Sequence, residues 1–413
     1  MPQTRRPGFP TFATIALLCT TGVSSAQGDA VTDWNVIMQA TVTAAPTNAP
    51  FQARWAAIVQ LAVFEAVNAI TGKYEPYLGT IVAPDGASPE AAAIAAAHRT
   101  LVTLRPASAG VIDPLREASL AAITDGPEKD AGIAVGEEAA AAMLLLRAND
   151  GWDALVPYTP GTDAGDWQPT LPAFAPPLLP GWGQVTPFGL LEGSQFRSPA
   201  PPALETGKYA TDYEEVRLLG RVDSAFRPQD RTDVARFYAA TSPVVAWNTA
   251  ARQVSFAQGK TLSENARILA LLGMAMADAS IACFDTKYHY NLWRPLAAIR
   301  GGDTDGNAET AADPSWLPLI ATPAFPSYAS GHATLSGAAC VVLEQIYGEH
   351  GHEFSLTNPA LPAIELDYTT FKDVCDDIDD ARIYGGIHFR FDQEAGGKQG
   401  RKVGNWILRH HLR

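Results

Sequence analysis

Cysteine is scarce, with four residues in 413, and one of them, Cys19, lies in an apolar N-terminal stretch. The other three, Cys283, Cys340 and Cys375, are an odd number, which excludes a disulfide framework and leaves room for one internal bridge at most. Charge is sparse too: 18 % of residues are charged, 44 acidic against 30 basic, and no run of like charge forms a tail. That balance, −14 overall, excludes a nucleic-acid surface. It also means that any anion site must be built locally from converging cations. An uncharged apolar run long enough for a clean membrane span is missing, because the most apolar stretch beyond the N-terminus, ARILALLGMAMADASIACF, carries Arg267 and Asp278. No convincing repeat is found.

What is present describes a globular chain, 47 % hydrophobic, in which Ala-rich helical patterns outnumber alternating ones. The first residues show Arg5 and Arg6, an apolar segment from Phe12 to Val23, and small residues at Ser24 and Ala26. This predicts a secretory signal over 1–26, of Sec or twin-arginine type, and an exported protein, periplasmic or secreted. Residues 27–413 then form a single α-helical domain. SPEAAAIAAAHRTLV predicts a helix capped by Ser88 with Pro89 at its first position. From 150 to 206 the chain is dense in Pro and Gly, and its embedded Trp167, Phe174, Trp182 and Phe188 predict a cover packed on the body. Helical patterns resume near Tyr209. The loop at Asp303, Asp305 and Asn307 has calcium-like alternation, but it lacks the glycine at position six and has Pro314 at position twelve, so it is not a calcium loop.

The chemistry lies in a core over 263–400. From a cap at Ser263, the apolar positions Ile268, Leu272, Met276, Ala279 and Cys283 recur at three and four, and Lys287 continues that buried stripe. Arg294, seven residues on, is two helical turns away and returns to within about 20° of the same face. Two inward cations require a negative partner, either carboxylates such as Asp278 and Asp285 or an exogenous anion. In AFPSYASGHATLSG, Ser330 and Gly331 precede a helix beginning near His332, whose N–H groups and dipole favour an anion. In DDARIYGGIHFRFD, the Gly385–Gly386 break lets Arg382 and His388 converge. Asp392 lies four residues after His388 and would either orient it or pair with Arg390 or Lys398.

A zinc site on His289, His332 and His388 fails electrostatically among three cations, and no nucleophile elbow supports a Ser330 hydrolase. A non-catalytic anion binder explains the cations but leaves His332 and His388 without work.

The order Lys–x6–Arg–Pro, Pro–Ser–x–x–Ser–Gly–His and Arg–x5–His–x3–Asp resembles the signature of vanadium-dependent haloperoxidases and of the type 2 phosphatidic acid phosphatase superfamily that contains them. The Pro-rich segment is similar to one in exported bacterial members. Two positions depart from the family pattern, Ala381 for Ser and Ala329 for Pro. The resemblance implies an all-α helical-bundle fold with vanadate as cofactor. Lys287, Arg294, Ser330, Gly331 and Arg382 would bind its oxygens, His388 would bind vanadium, and His332 would be the general acid–base. Lys287 would also polarise the hydrogen peroxide that oxidises halide to hypohalous acid, which halogenates a small organic acceptor. Phe325, matching the fungal chloroperoxidase type, and Phe284, at a position where that type has tryptophan, would line the halide pocket. The same residues also describe an acid phosphatase without cofactor, with a phosphomonoester substrate, His388 as nucleophile and His332 protonating the leaving group. A homo-oligomer is compatible with either.

Overall fold

A computed structural model describes residues 28–44 and 47–413; the expected signal over 1–26 lies outside the described residues. Thirteen α-helices, four short 3₁₀ helices and one short hairpin make up the regular structure of these residues. The N-terminal half packs α1 (Ala30–Thr43), α2 (Ala49–Thr71), α3 (Pro89–Leu104), α4 (Ala109–Ala121) and α5 (Pro127–Leu146). Ser88 caps α3 as expected, its Oγ accepting from Ala91 N at 3.1 Å. The second half holds α6 (Gly207–Leu219), α7 (Gln229–Ala240), α8 (Pro243–Ala257), α9 (Leu262–Tyr290), α10 (Pro295–Arg300), α11 (Gly331–Tyr347), α12 (Phe371–Tyr384) and α13 (Arg390–His410). Between α11 and α12, β1 (Phe354–Thr357) pairs antiparallel with β2 (Glu365–Tyr368), Phe354 opposite Tyr368. This hairpin interrupts the continuous helical pattern expected there.

The longest helix, α9, is the axis of the molecule and packs on α2, α11 and α13. Its cap is Thr261 rather than Ser263, because Glu264 completes a capping box by accepting from Thr261 N at 2.8 Å. Both α2 and α9 are long and apolar enough to cross a membrane, and their most apolar windows are 89 % and 94 % buried inside the fold. Helices α11 and α13 run side by side at glycine contacts: a Cβ on Gly400 would lie 2.0 Å from Thr334 O, and one on Gly396 2.7 Å from Ser330 O. Only glycine lets α13 approach that closely, and this approach fixes the start of α11 against the start of α13.

The Pro-rich segment packs on the body. Trp167, Trp182 and Phe188 are buried, whereas Phe174 is 60 % exposed, at a turn with φ of +47°, and takes no part in anchoring. Asp278 on α9, fully buried, accepts from the N–H groups of Phe188, Gly189 and Leu190 at 2.6, 2.7 and 2.8 Å. Leu178 N donates to Ala324 O at 2.9 Å and accepts Tyr288 Oη at 2.5 Å on its own carbonyl. The loop at 303–307 is closed by Asp305 accepting from Thr310 Oγ1 at 2.7 and 2.8 Å and from Asn307 N at 2.9 Å. Cys283, Cys340 and Cys375 are free buried thiols.

Candidate active site

Lys287 stands on the last turn of α9, fully buried, and its Nζ donates to the carbonyls of Pro326 and Ser327, both at 2.8 Å. Arg294 does not continue that helical stripe. The helix ends at Tyr290, and Asn291 caps it in the left-handed region (φ +53°) with its N–H on Lys287 O at 2.9 Å. Pro295 opens α10 and holds Arg294 extended (φ −87°, ψ 155°), since the residue before a proline is excluded from the helical region. Arg294 still turns inward, donating from Nε to Phe325 O at 2.8 Å and from Nη1 to Ile387 O at 2.9 Å.

Ser330 caps α11, buried, with Oγ accepting from Ala333 N at 3.4 Å. The space before this helix is open: a Cβ on Gly331 would have only Cys283 Sγ, 3.9 Å away, within 4 Å. His332 follows, partly exposed, with no hydrogen-bond partner on Nε2.

Arg382, on the last turn of α12, donates from Nη1 to Tyr238 O at 3.1 Å and leaves Nε unpartnered. The chain then turns sharply at Gly386 (φ +79°), where a Cβ would meet Gly220 O at 2.4 Å. The turn delivers His388 to Arg294, whose Nη1 is 3.0 Å from His388 Nε2. Because guanidinium only donates, Nε2 is the acceptor, and the ring proton sits on Nδ1, which faces Asp392 Oδ2 at 2.8 Å. Asp392 therefore orients His388; Arg390 pairs instead with Glu215 at 2.6 Å and Asp380 at 3.0 Å. Ser327, quoted within the sequence motif but given no role there, donates Oγ to the same Asp392 oxygen at 2.5 Å. Of the rival zinc trio, His289 is exposed and packs edge-on against Tyr290, whereas His388 is buried. Among the described residues no group of three or more His, Cys, Asp or Glu could hold a metal ion.

The electrostatics follow from burial. Lys287 is pushed down to about 7, chiefly by burial and then by the Arg294 charge, against the Cys283 contribution. Arg294 and Arg382 are lowered by burial, Arg382 also by Arg294. His388 and His332 lie well below the usual imidazole range, driven first by burial and then by the surrounding cations. Asp392 is pushed up to about 6 by burial, opposed most by the Ser327 hydrogen bond. One carboxylate thus stands against three cations. Three buried nitrogens, Arg294 Nη2, Arg382 Nε and His332 Nε2, have no partner. Each of the two stranded guanidinium donors costs about 1–3 kcal/mol, a cost that one bound oxyanion would remove.

On the flank, Phe325 places its ring 5.1 Å from Lys287 Nζ and 4.9 Å from Arg294 Cζ, and its centroid 5.2 Å from that of Phe284. Trp182 and Ile281 complete this apolar wall.

Comparison with known proteins converges on one family. Residues 267–413 match the VCPO second helical-bundle domain. Over 92 residues the chain is 36 % identical to the vanadium chloroperoxidase of Curvularia inaequalis, a stretch covering 20 % of this chain and 14 % of that enzyme. A bacterial vanadium-dependent iodoperoxidase superposes with a TM-score of 0.81 at 26 % identity, covering 93 % of this chain and 96 % of the other. A holo-type bacterial vanadium-dependent chloroperoxidase shares the fold, with a TM-score of 0.70 at 17 % identity over 97 % and 96 % of the two chains. With all three motif segments gathered at one site inside this all-α fold, residues 267–413 carry the second helical-bundle domain of the vanadium chloroperoxidase type, and the chain as a whole shares the fold of bacterial vanadium-dependent haloperoxidases.

Proposed function

We propose that the protein is a haloperoxidase that uses hydrogen peroxide to oxidise halide to hypohalous acid, which halogenates a small organic acceptor, and that vanadate is its cofactor. One observation carries this reading: unpartnered, buried guanidinium donors on Arg294 and Arg382 sit with the unpartnered Nε2 of His332 and the acceptor nitrogen of His388 in a pocket holding three cations and one carboxylate. That donor set fits a tetrahedral oxyanion. Arg294 Nη2, Arg382 Nε, Lys287 Nζ, the Ser330 hydroxyl and the Gly331 N–H would hold its oxygens, and His388 Nε2 would take its central atom. Bound vanadate supplies a Lewis-acidic centre that activates peroxide toward halide.

The chain's own residues do the rest. Asp392 keeps the His388 proton on Nδ1, so the Nε2 lone pair faces the site. Burial keeps His332 neutral, ready to accept a proton from incoming peroxide at Nε2 and return it to the leaving oxygen. Lys287 holds its charge once an anion is present and polarises the peroxide oxygen. Phe325 and Phe284 form the dry wall against which halide docks. In this reading residues 27–413 form one domain and the product is made outside the cytoplasm, with 1–26 as export signal.

Because phosphate shares the tetrahedral charge, the same residues would also serve an acid phosphatase. A paired assay on the purified protein decides: bromination of a phenolic dye with peroxide, and hydrolysis of p-nitrophenyl phosphate, each with and without orthovanadate. Bromination that appears only with vanadate and disappears in His388→Ala supports the haloperoxidase. Ester hydrolysis inhibited by vanadate, without bromination, replaces it with the phosphatase; binding without either turnover would mean an anion binder.

A further inference from the structure

Ser327 has three polar groups, and each is tied to a different part of the site. Its N–H donates to Leu292 O at 2.8 Å, in the link between α9 and α10 that carries Arg294. Its carbonyl accepts from Lys287 Nζ at 2.8 Å. Its hydroxyl donates to Asp392 Oδ2 at 2.5 Å and lies 3.4 Å from His388 Nδ1. The side chain is fully buried, so none of these bonds competes with bulk water.

The bond to Asp392 decides what that carboxylate can do. Asp392 Oδ1 has no partner, so the carboxylate is held through Oδ2 alone. On Oδ2 the remaining donors are His388 Nδ1 at 2.8 Å and the Phe389 N–H at 3.2 Å. The shortest of the three bonds is the one from Ser327. Without it, the carboxylate keeps one long backbone bond and its attachment to the ring it is meant to hold, and both can rotate together.

We propose that Ser327 is a positioning residue of the oxyanion site: through Asp392 it fixes the ring plane of His388, and through its carbonyl it fixes Lys287, so that both converge on one bound anion. This rests on the oxyanion-site reading above. A hydroxyl is required and a side chain without one does not suffice. Alanine keeps the backbone bonds to Leu292 and Lys287 and loses only the hold on Asp392. Threonine keeps the hydroxyl.

The test is calorimetric titration of the full-length protein with orthovanadate, and separately with inorganic phosphate, for wild type, Ser327→Ala and Ser327→Thr. Unfolding temperatures are measured without anion alongside. The expected result is a 10–100-fold weaker vanadate Kd for Ser327→Ala, the range typical when a partner behind a ligating histidine is lost. Ser327→Thr should stay within about threefold of wild type, and both variants should unfold near the wild-type temperature. Saturating vanadate should restore most of kcat in Ser327→Ala, since Lys287 and His332 are untouched. An unchanged Kd in Ser327→Ala, or equal losses in both variants, overturns the role of Ser327 and leaves the oxyanion site standing. If the wild type binds neither anion, the site reading fails and the role of Ser327 goes with it.

Discussion

Asp285 sits two residues before Lys287 in the chain, yet it turns away and pairs with Arg197, from Nε to Oδ2 at 2.7 Å and from Nη2 to Oδ1 at 2.8 Å. Asp278, the other nearby carboxylate on α9, is spent on three backbone N–H groups of the cover. Neither acid neutralises the cations of the site. The fold therefore carries an uncompensated positive charge that the proposed anion would neutralise, and this makes stability a direct readout of the site.

Lys287 gives that readout a sign. In the folded protein it titrates at about 7, against an ordinary 10.5. Between those values the unfolded chain holds a proton that the folded chain lacks, so this group lowers stability progressively as pH falls from 10.5 to about 7, and by a constant amount below. Sulfate, a tetrahedral dianion throughout this range, needs the protonated amine. Its stabilising effect should be full below about pH 7 and fade above it, while Lys287→Met should lose this pH dependence. Thermal unfolding with and without sulfate from pH 6 to 9 measures it; a sulfate shift in wild type that does not change with pH would refute the assignment.

Arg382 should show the cost of function most clearly. It is buried with Nε unpartnered and one bond to Tyr238 O. An uncompensated buried cation is often replaced by an apolar side chain without loss. Arg382→Leu should leave the anion-free protein as stable as wild type, or more stable by about 1–2 kcal/mol. The added stability that vanadate gives the wild type should vanish in the same variant. Denaturant unfolding with and without vanadate checks both halves.

How far the site was legible in the sequence depends on whether each residue's role is local. Ser330, Gly331 and His332 were readable because a helix start defines its own anion geometry. His388 and Asp392 were readable from spacing and from the glycine break between Arg382 and His388. Arg294 was assigned to the right place for the wrong reason: the two-turn argument needs an unbroken helix, and Pro295 forbids one. It reaches the site because the turn at Asn291 redirects the chain. Ser327 was unreadable, since its hydroxyl partner lies 65 residues away. The aromatics of the Pro-rich segment did report a packed cover, yet Phe174 shows that an apolar side chain in a loop is no proof of burial. The hairpin was missed because strands of four residues leave too short a pattern.

The cover is held to α9 by Asp278, so Asp278→Ala should free it. Three N–H groups lose their acceptor, each worth about 1–3 kcal/mol if it stays buried. The loop can open to water, so a net loss of roughly 2–4 kcal/mol is expected. Limited proteolysis should then cut within 151–206 at protease levels that leave the wild type intact. Equal resistance in both proteins would show that the aromatic contacts alone hold the segment.

Helix packing is coupled to the anion site through two adjacent glycines on α13. A Cβ on Gly396 would lie 2.7 Å from Ser330 O and 3.0 Å from Thr334 Oγ1, so Gly396→Ala must push α13 away from the start of α11. A Cβ on Gly397 would meet nothing within 4 Å. Where a helical position has room for the methyl group, that change stabilises by up to about 1 kcal/mol, because alanine loses less backbone entropy than glycine. Gly397→Ala should therefore be neutral or stabilising with unchanged vanadate affinity. Gly396→Ala should cost about 1–3 kcal/mol as an overpacked contact. It should also weaken vanadate binding more than tenfold, since the displaced carbonyl belongs to Ser330, the residue that caps the anion nest. Calorimetric Kd values and unfolding temperatures for the pair decide it. If Gly396→Ala loses stability but keeps its affinity, the start of α11 is positioned by α9 and the preceding loop, and α13 serves only as support.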